Sequence, residues 1–158
     1  MKNDIVSSRF IRLLERSRTM SSIYEIMMSD YTDTPASQWL DESDSIVSVS
    51  FHVFNEDVKS MAAFLSKKLG AEQQGCFVGL SMDNSHLWQV CFWALLMAGY
   101  KPVLIDVNHG EDMVDYIIES AGIRTIIGRS GIELKNQVVQ IPLDELKSVS
   151  EAPEFTPQ

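Results

Sequence analysis

Two short apolar runs, Cys76–Met82 and Pro102–Val107, stand either side of a helical stretch, 85–98, that is itself apolar over most of its length. A strand with one wet face alternates apolar and polar residues, whereas a strand apolar throughout is covered on both faces. Parallel partners cannot be joined by a tight turn, so a crossover helix between such strands is the expected connection. The unit then repeats. A helix over 111–121 presents Met113, Val114, Ile117, Ile118 and Ala121 to one side, the strand Arg124–Gly128 follows, and Val138–Ile141 adds one more strand. This order predicts an α/β fold with an open, doubly wound, mostly parallel sheet and flanking helices, which takes ligands at the carboxyl ends of its strands.

Upstream the pattern changes. Residues 5–16 place Val6, Phe10, Leu13 and Leu14 on a helical stripe with Arg9, Arg12 and Arg16 elsewhere, and 22–31 read as a second short helix or an irregular segment before Asp33-Thr34-Pro35 breaks the pattern. From Ile46 to Val53 the chain alternates, with Val47, Val49, Phe51 and Val53 on one face and Ser48, Ser50 and His52 on the other, so His52 points away from the core. With Gln38-Trp39-Leu40 before it and Asp41–Asp44 as the turn, a β-hairpin is expected. Asn55 reads as the N-cap of a helix over 55–69, with Glu56 and Asp57 at its positive start, an apolar stripe of Val58, Met61, Ala62, Leu65 and Leu69, and Lys67, Lys68 and Gly70 at its end. The chain therefore divides into an N-terminal helical segment (1–34), an α/β part (35–147) and a tail or linker (148–158) that carries two prolines.

At 158 residues the chain is one ordinary domain, large enough to bury about 70% of its unfolded surface without a staple. Thirteen Lys and Arg against twenty-two Asp and Glu give a net charge of -9, which repels nucleic-acid phosphates and anionic lipid surfaces. The longest apolar run, Val90–Ala98, has nine residues where a membrane span needs about 20. No secretory pattern opens the sequence, and Cys76 and Cys91 lack metal-ligand or CxxC spacing, so they read as reduced core thiols of a cytoplasmic protein.

Candidate chemistry is sparse. Gly128-Arg-Ser-Gly131 follows a strand as a phosphate loop would, but no convincing helix start comes after it, and an ordinary turn is the better reading. Asp106, at a strand's carboxyl end and followed by Asn108-His109-Gly110-Glu111-Asp112, reads as turn and helix-cap chemistry more than as a ligand or metal site. A phospho-receiver would need an acidic pair and a lysine at positions where this chain has none. His86 beside Ser85 suggests a base and a nucleophile, yet the sequence assigns no carboxylate to orient the imidazole, so a residue of the first helical turn is expected. Trp88, Phe92 and Trp93 have the spacing of core packing.

The order of signals between residues 35 and 128 resembles the N-terminal part of the adenylate-forming (AMP-binding) superfamily, which includes acyl-CoA synthetases, luciferases and the adenylation domains of peptide synthetases. Pro35-Ala36, the strand at Ser48-Val-Ser-Phe51, Ala62 and Leu65 leading to Gly70, Gly75-Cys-Phe-Val78, then Asn84-Ser85, Trp88, Ala94, Ala98-Gly99, Val103–Asp106 and Tyr116–Gly122 carry it. Cys76 stands where the family usually has Asp, Leu87 where an acidic residue is common, and the usual Pro after Val103 is absent. The resemblance implies an N-terminal fragment, excised or proteolytic, of an ATP-dependent, acyl-CoA synthetase-like ligase that activates a small-molecule carboxylate as an acyl-adenylate. ATP, Mg and a CoA or carrier-protein thiol are implied for that parent, and none for the fragment. No catalytic, cofactor-binding or metal-binding residue is carried over to any position. The expected partner is the remainder of the parent polypeptide, with self-association through exposed apolar surface. The alternative is a stand-alone, non-catalytic α/β interaction or small-ligand-binding module.

Overall fold

The computed structural model describes residues 11, 15, 17, 19–30, 33–40, 43–129, 131, 133–135 and 137–149. Most of the helix expected over 5–16 and most of the tail at 148–158 lie outside the described residues. The first described helix, α1, spans Met20–Asp30. An antiparallel hairpin follows, β1 (Pro35–Leu40) with β2 (Ile46–Ser50), in which Trp39 faces Val47 and Ser37 faces Val49. The register shifts between Pro35 and Ser37. Such a bulge re-aims the residue that follows it.

The strand read through to Val53 in fact stops at Ser50. Helix α2 begins at Phe51 and runs to Leu69, with the Ser50 hydroxyl accepting a hydrogen bond from the Val53 N–H at 3.3 Å. The physical reason is that Ser50 is a good N-cap, and the apolar spacing of Phe54, Val58, Met61 and Leu65 already runs at helical period from residue 54. Asn55 is therefore not the cap, and Asp57 lies in the second turn, buried.

The remaining elements are β3 (Phe77–Leu80), α3 (His86–Met97), β4 (Lys101–Leu104), α4 (Glu111–Ala121), β5 (Thr125–Gly128), β6 (Val139–Pro142) and a short helix α5 (Leu143–Lys147). The four strands form one parallel sheet in the order β4-β3-β5-β6. Helix α4 closes on Gly122, in the left-handed conformation, with the Ile123 N–H bonded to the Ile118 carbonyl at 3.0 Å.

Each face of the sheet has its own core. On one, Val78, Leu80, Ile127 and Ile141 meet Val58, Met61 and Leu65 of α2 and Val90, Ala94 and Leu95 of α3. On the other, Ile105 and Ile126 meet Val114 and Ile118 of α4. Burying each such side chain favours the folded state by about 1.5–3 kcal/mol. The result is the doubly wound arrangement the apolar runs predict. It brings the turns after β3, β4 and β5 to the carboxyl end of the sheet.

Candidate functional site

The crevice at that end is bounded by Met82, Asp83, Asn84, Trp88, Leu104, Asp106 and Asn108. Asp106 closes a turn: one carboxylate oxygen accepts the Asn108 backbone N–H at 2.8 Å and its side-chain amide at 2.9 Å. These bonds, the backbone one first, hold the Asp106 carboxyl below the usual carboxylate range. Gly128 and Gly131 both have positive φ, and the Arg129 guanidinium donates to the His109 carbonyl at 2.9 Å. The two loops singled out in the sequence thus meet, but their polar groups serve each other. Among the described residues, no three His, Cys, Asp or Glu side chains come together as a metal site.

His86 is where the sequence reading needs correction. It is the first residue of α3, as expected, but it is buried and has a carboxylate. Its Nε2 lies 3.0 Å from Asp57 Oδ2, and its Nδ1 lies 2.7 Å from Ser37 Oγ. The three residues come from α3, α2 and β1. Asp57 and His86 are 2% and 5% exposed, whereas Ser37 is half-buried. The Trp39 and Phe54 rings flank the imidazole, with centroids 5.8 and 5.7 Å away. With the carboxylate ionised and the imidazole neutral, Nε2–H donates to Asp57, Nδ1 is the acceptor, and the Ser37 hydroxyl donates to it.

Ser85, the neighbour suggested by sequence, is otherwise engaged. It is the N-cap of α3, and its hydroxyl accepts the Trp88 N–H at 3.1 Å. A pocket opens over Ser37 and His86, bordered by Gln38, Asn84, Ser85, Trp88 and Gln89. One signal for this site was present in the sequence: Asp57 stands beside Val58 on the apolar stripe of α2, where a carboxylate needs a buried partner.

The aromatic residues of α3 pack against the core as expected, with Trp88 and Phe92 stacked at 5.7 Å and Phe92 edge-on to Trp93 at 5.4 Å. Trp88 also walls both pockets. Trp93 lies 5.2 Å from Tyr24, whose hydroxyl donates to Asn55 Oδ1 at 2.7 Å and is pushed up in pKa by burial and then by Glu56. Cys91 is a core thiol, pushed up to about 12 by burial, while Cys76 is only half-buried.

Comparison with known proteins adds three findings. The family model described as AMP-binding enzyme matches residues 27–156. No curated protein matches the chain in sequence. Among solved structures, the N-terminal subdomain of Klebsiella oxytoca NpsA in complex with 3-hydroxybenzoyl-AMSN is similar at a TM-score of 0.73 and 16% identity, over 88% of this chain and 34% of that one. An artificially fused adenylation-PCP di-domain, NpsA-ThdA, from the same organism gives 0.69 and 16%, over 85% and 26%. The four-domain nonribosomal peptide synthetase AB3403, bound to AMP and glycine, gives 0.64 and 20%, over 82% and 9%. The chain thus spans about a third of the length of the NpsA subdomain it matches.

Proposed function

The chain belongs to the AMP-binding enzyme family, and on that premise we propose that it supplies the first α/β portion of an ATP-dependent, carboxylate-activating ligase. In this reading residues 35–147 are the α/β part of the large N-terminal subdomain, preceded by a helical segment and followed by a linker. The enzyme is acyl-CoA synthetase-like, works in the cytoplasm and delivers its acyl group to the thiol of CoA or of a carrier protein. The observation that carries the reading is the match of 88% of this chain to 34% of an adenylation subdomain.

In this reading ATP and magnesium are held by the rest of the polypeptide. Asp106 is engaged in its turn and Arg129 with the His109 carbonyl, and Asp83 is the other carboxylate bordering the crevice. The proposal places adenylation in the rest of the polypeptide, with this portion contributing the sheet and helices against which that centre is built. The sheet supports the division of labour: β4 and β6 are its edges, and Leu104 and Val139 on them are 54% and 60% exposed. Unpaired, apolar edges are suited to further chain of the same enzyme, and to self-association where that chain is missing.

ATP–pyrophosphate exchange tests the proposal. The 158-residue chain alone should exchange no more than a mutant control, and a longer polypeptide carrying it should exchange in the presence of its carboxylate. Exchange by the chain alone would sink the reading.

A further inference from the structure

The geometry points to a second, ATP-independent activity: Ser37 is the nucleophile of a Ser37–His86–Asp57 array that takes acyl groups from small uncharged esters. Each element of an activated serine is present. The hydroxyl donates to an imidazole at 2.7 Å, and the imidazole is oriented by a carboxylate at 3.0 Å on its other nitrogen. Burial is graded along the array, with Asp57 and His86 in the core and Ser37 half-buried under the pocket.

A network whose purpose was only to pin the hairpin to α2 and α3 needs no opening at its serine end. Apolar residues would serve that purpose at least as well, since buried charged pairs contribute little net stability. Here the pocket reaches Ser37 and His86 but not Asp57. The bulge before Ser37 sets that residue in register opposite Val49.

The same pocket restricts the substrate. Its lining has no Lys, Arg, Asp or Glu, only the amides of Gln38, Asn84 and Gln89, two serines, His86 and two indoles. It therefore favours neutral, compact acyl esters over anionic ones. A donor for a developing oxyanion is the first-turn N–H of His86, a residue that lines the pocket and whose N–H has no acceptor within the helix, while that of Trp88 is held by Ser85.

The reaction balances without a redox partner. Ser37 Oγ adds to the ester carbonyl carbon as its proton passes to His86 Nδ1. The C–O bond to the alcohol breaks, the alcohol leaves with that proton, and an acyl-Ser37 remains. Water adds to the acyl carbon, giving its proton to Nδ1, and the C–Oγ bond breaks as Ser37 recovers the proton. Asp57 is a positioning residue that holds the Nε2–H tautomer.

A fluorophosphonate probe applied to the full chain, with the adduct mapped by mass spectrometry, tests the assignment. The adduct is expected on Ser37, absent in Ser37→Ala and retained in Ser66→Ala, which changes an exposed serine of α2 outside the pocket. Hydrolysis of p-nitrophenyl acetate should fall about 100-fold or more in Ser37→Ala. Asp57→Asn should lower kcat with KM within about twofold, because it reverses the tautomer and not the pocket. Ser37→Ala removes one half-buried hydroxyl, so its fold should survive, as circular dichroism would verify. No adduct on Ser37, or equal hydrolysis by wild type and Ser37→Ala, overturns the proposal and leaves the family assignment standing.

Discussion

Gly128→Ala measures how closely β3 and β5 approach at the crevice. Gly128 has a φ of 95°, a setting that costs a residue with a Cβ about 1–2 kcal/mol. A methyl group there would also lie 2.6 Å from the Ser81 carbonyl oxygen and 2.7 and 2.9 Å from carbons of Met82. Met82 has a flexible side chain, but Ser81 is backbone, and its N–H is bonded to the Ile127 carbonyl at 3.0 Å. The clash is relieved only by parting the ladder. Overpacking of this kind costs about 1–3 kcal/mol, so the sum is about 2–5 kcal/mol. Gly99 is the control, with a φ of 84° and nothing within 4 Å of an added methyl. Gly99→Ala should carry only the backbone part, about 1–2 kcal/mol. With a urea slope of about 2 kcal/mol/M, the unfolding midpoint should fall by about 1–2.5 M for Gly128→Ala and by about 0.5–1 M for Gly99→Ala. Equal shifts would refute the close approach.

Cys91 makes stability depend on pH. Burial pushes its thiol up to about 12, from about 9 for an exposed thiol. Above the unfolded value the unfolded chain has released the proton and the folded chain still holds it, so stability falls as pH rises, by up to about 1.4 kcal/mol per pH unit, until the folded value is reached. The stability difference between wild type and Cys91→Ala should therefore shrink between about pH 9.5 and 11. A constant difference would show that Cys91 is not desolvated. Ser85→Ala removes the acceptor of the 3.1 Å bond from the Trp88 N–H and should cost about 1 kcal/mol, or about 2–4 °C in Tm. Ser85→Asn keeps a capping oxygen and should recover most of that loss; no recovery would mean that Ser85 acts through something other than the cap.

The sheet was legible because its signal is local. An uninterrupted apolar run states that both faces of a strand are covered, and the structure has helices on both sides of β3 and β5. Helix α4 occupies the span its stripe indicates, Glu111–Ala121. Two local signals compete at Ser48–Phe54, where alternation at period 2 runs into a stripe at helical period, and the N-cap at Ser50 decides the boundary. Helix α5 has five residues, too few to show a period. The Ser37–His86–Asp57 contacts are different in kind. They join residues 49 and 29 positions apart: the packing of α2 on α3 creates the Asp57 contact, and the docking of the hairpin on that pair creates the Ser37 contact. Sequence spacing carries no trace of that docking.

The false lead at Ser85 follows from helix geometry. A residue at the N-cap turns its oxygen back toward the N–H groups two and three positions later, so its hydroxyl is already an acceptor for the helix. The imidazole that follows it leaves the helix axis in another direction and finds its partners on other elements. Ser85 and Ser37 border one pocket, yet only Ser37 meets the imidazole. Adjacency in sequence at a helix start is thus evidence for a cap, and a base must be sought a turn of hairpin or helix away. The fold makes the same loop do both jobs, since Asn84 and Trp88 wall the pocket over Ser37 on one side and the crevice at the strand ends on the other. Removing the cap tests the scaffold and removing Ser37 tests the chemistry, because the two hydroxyls contact different groups.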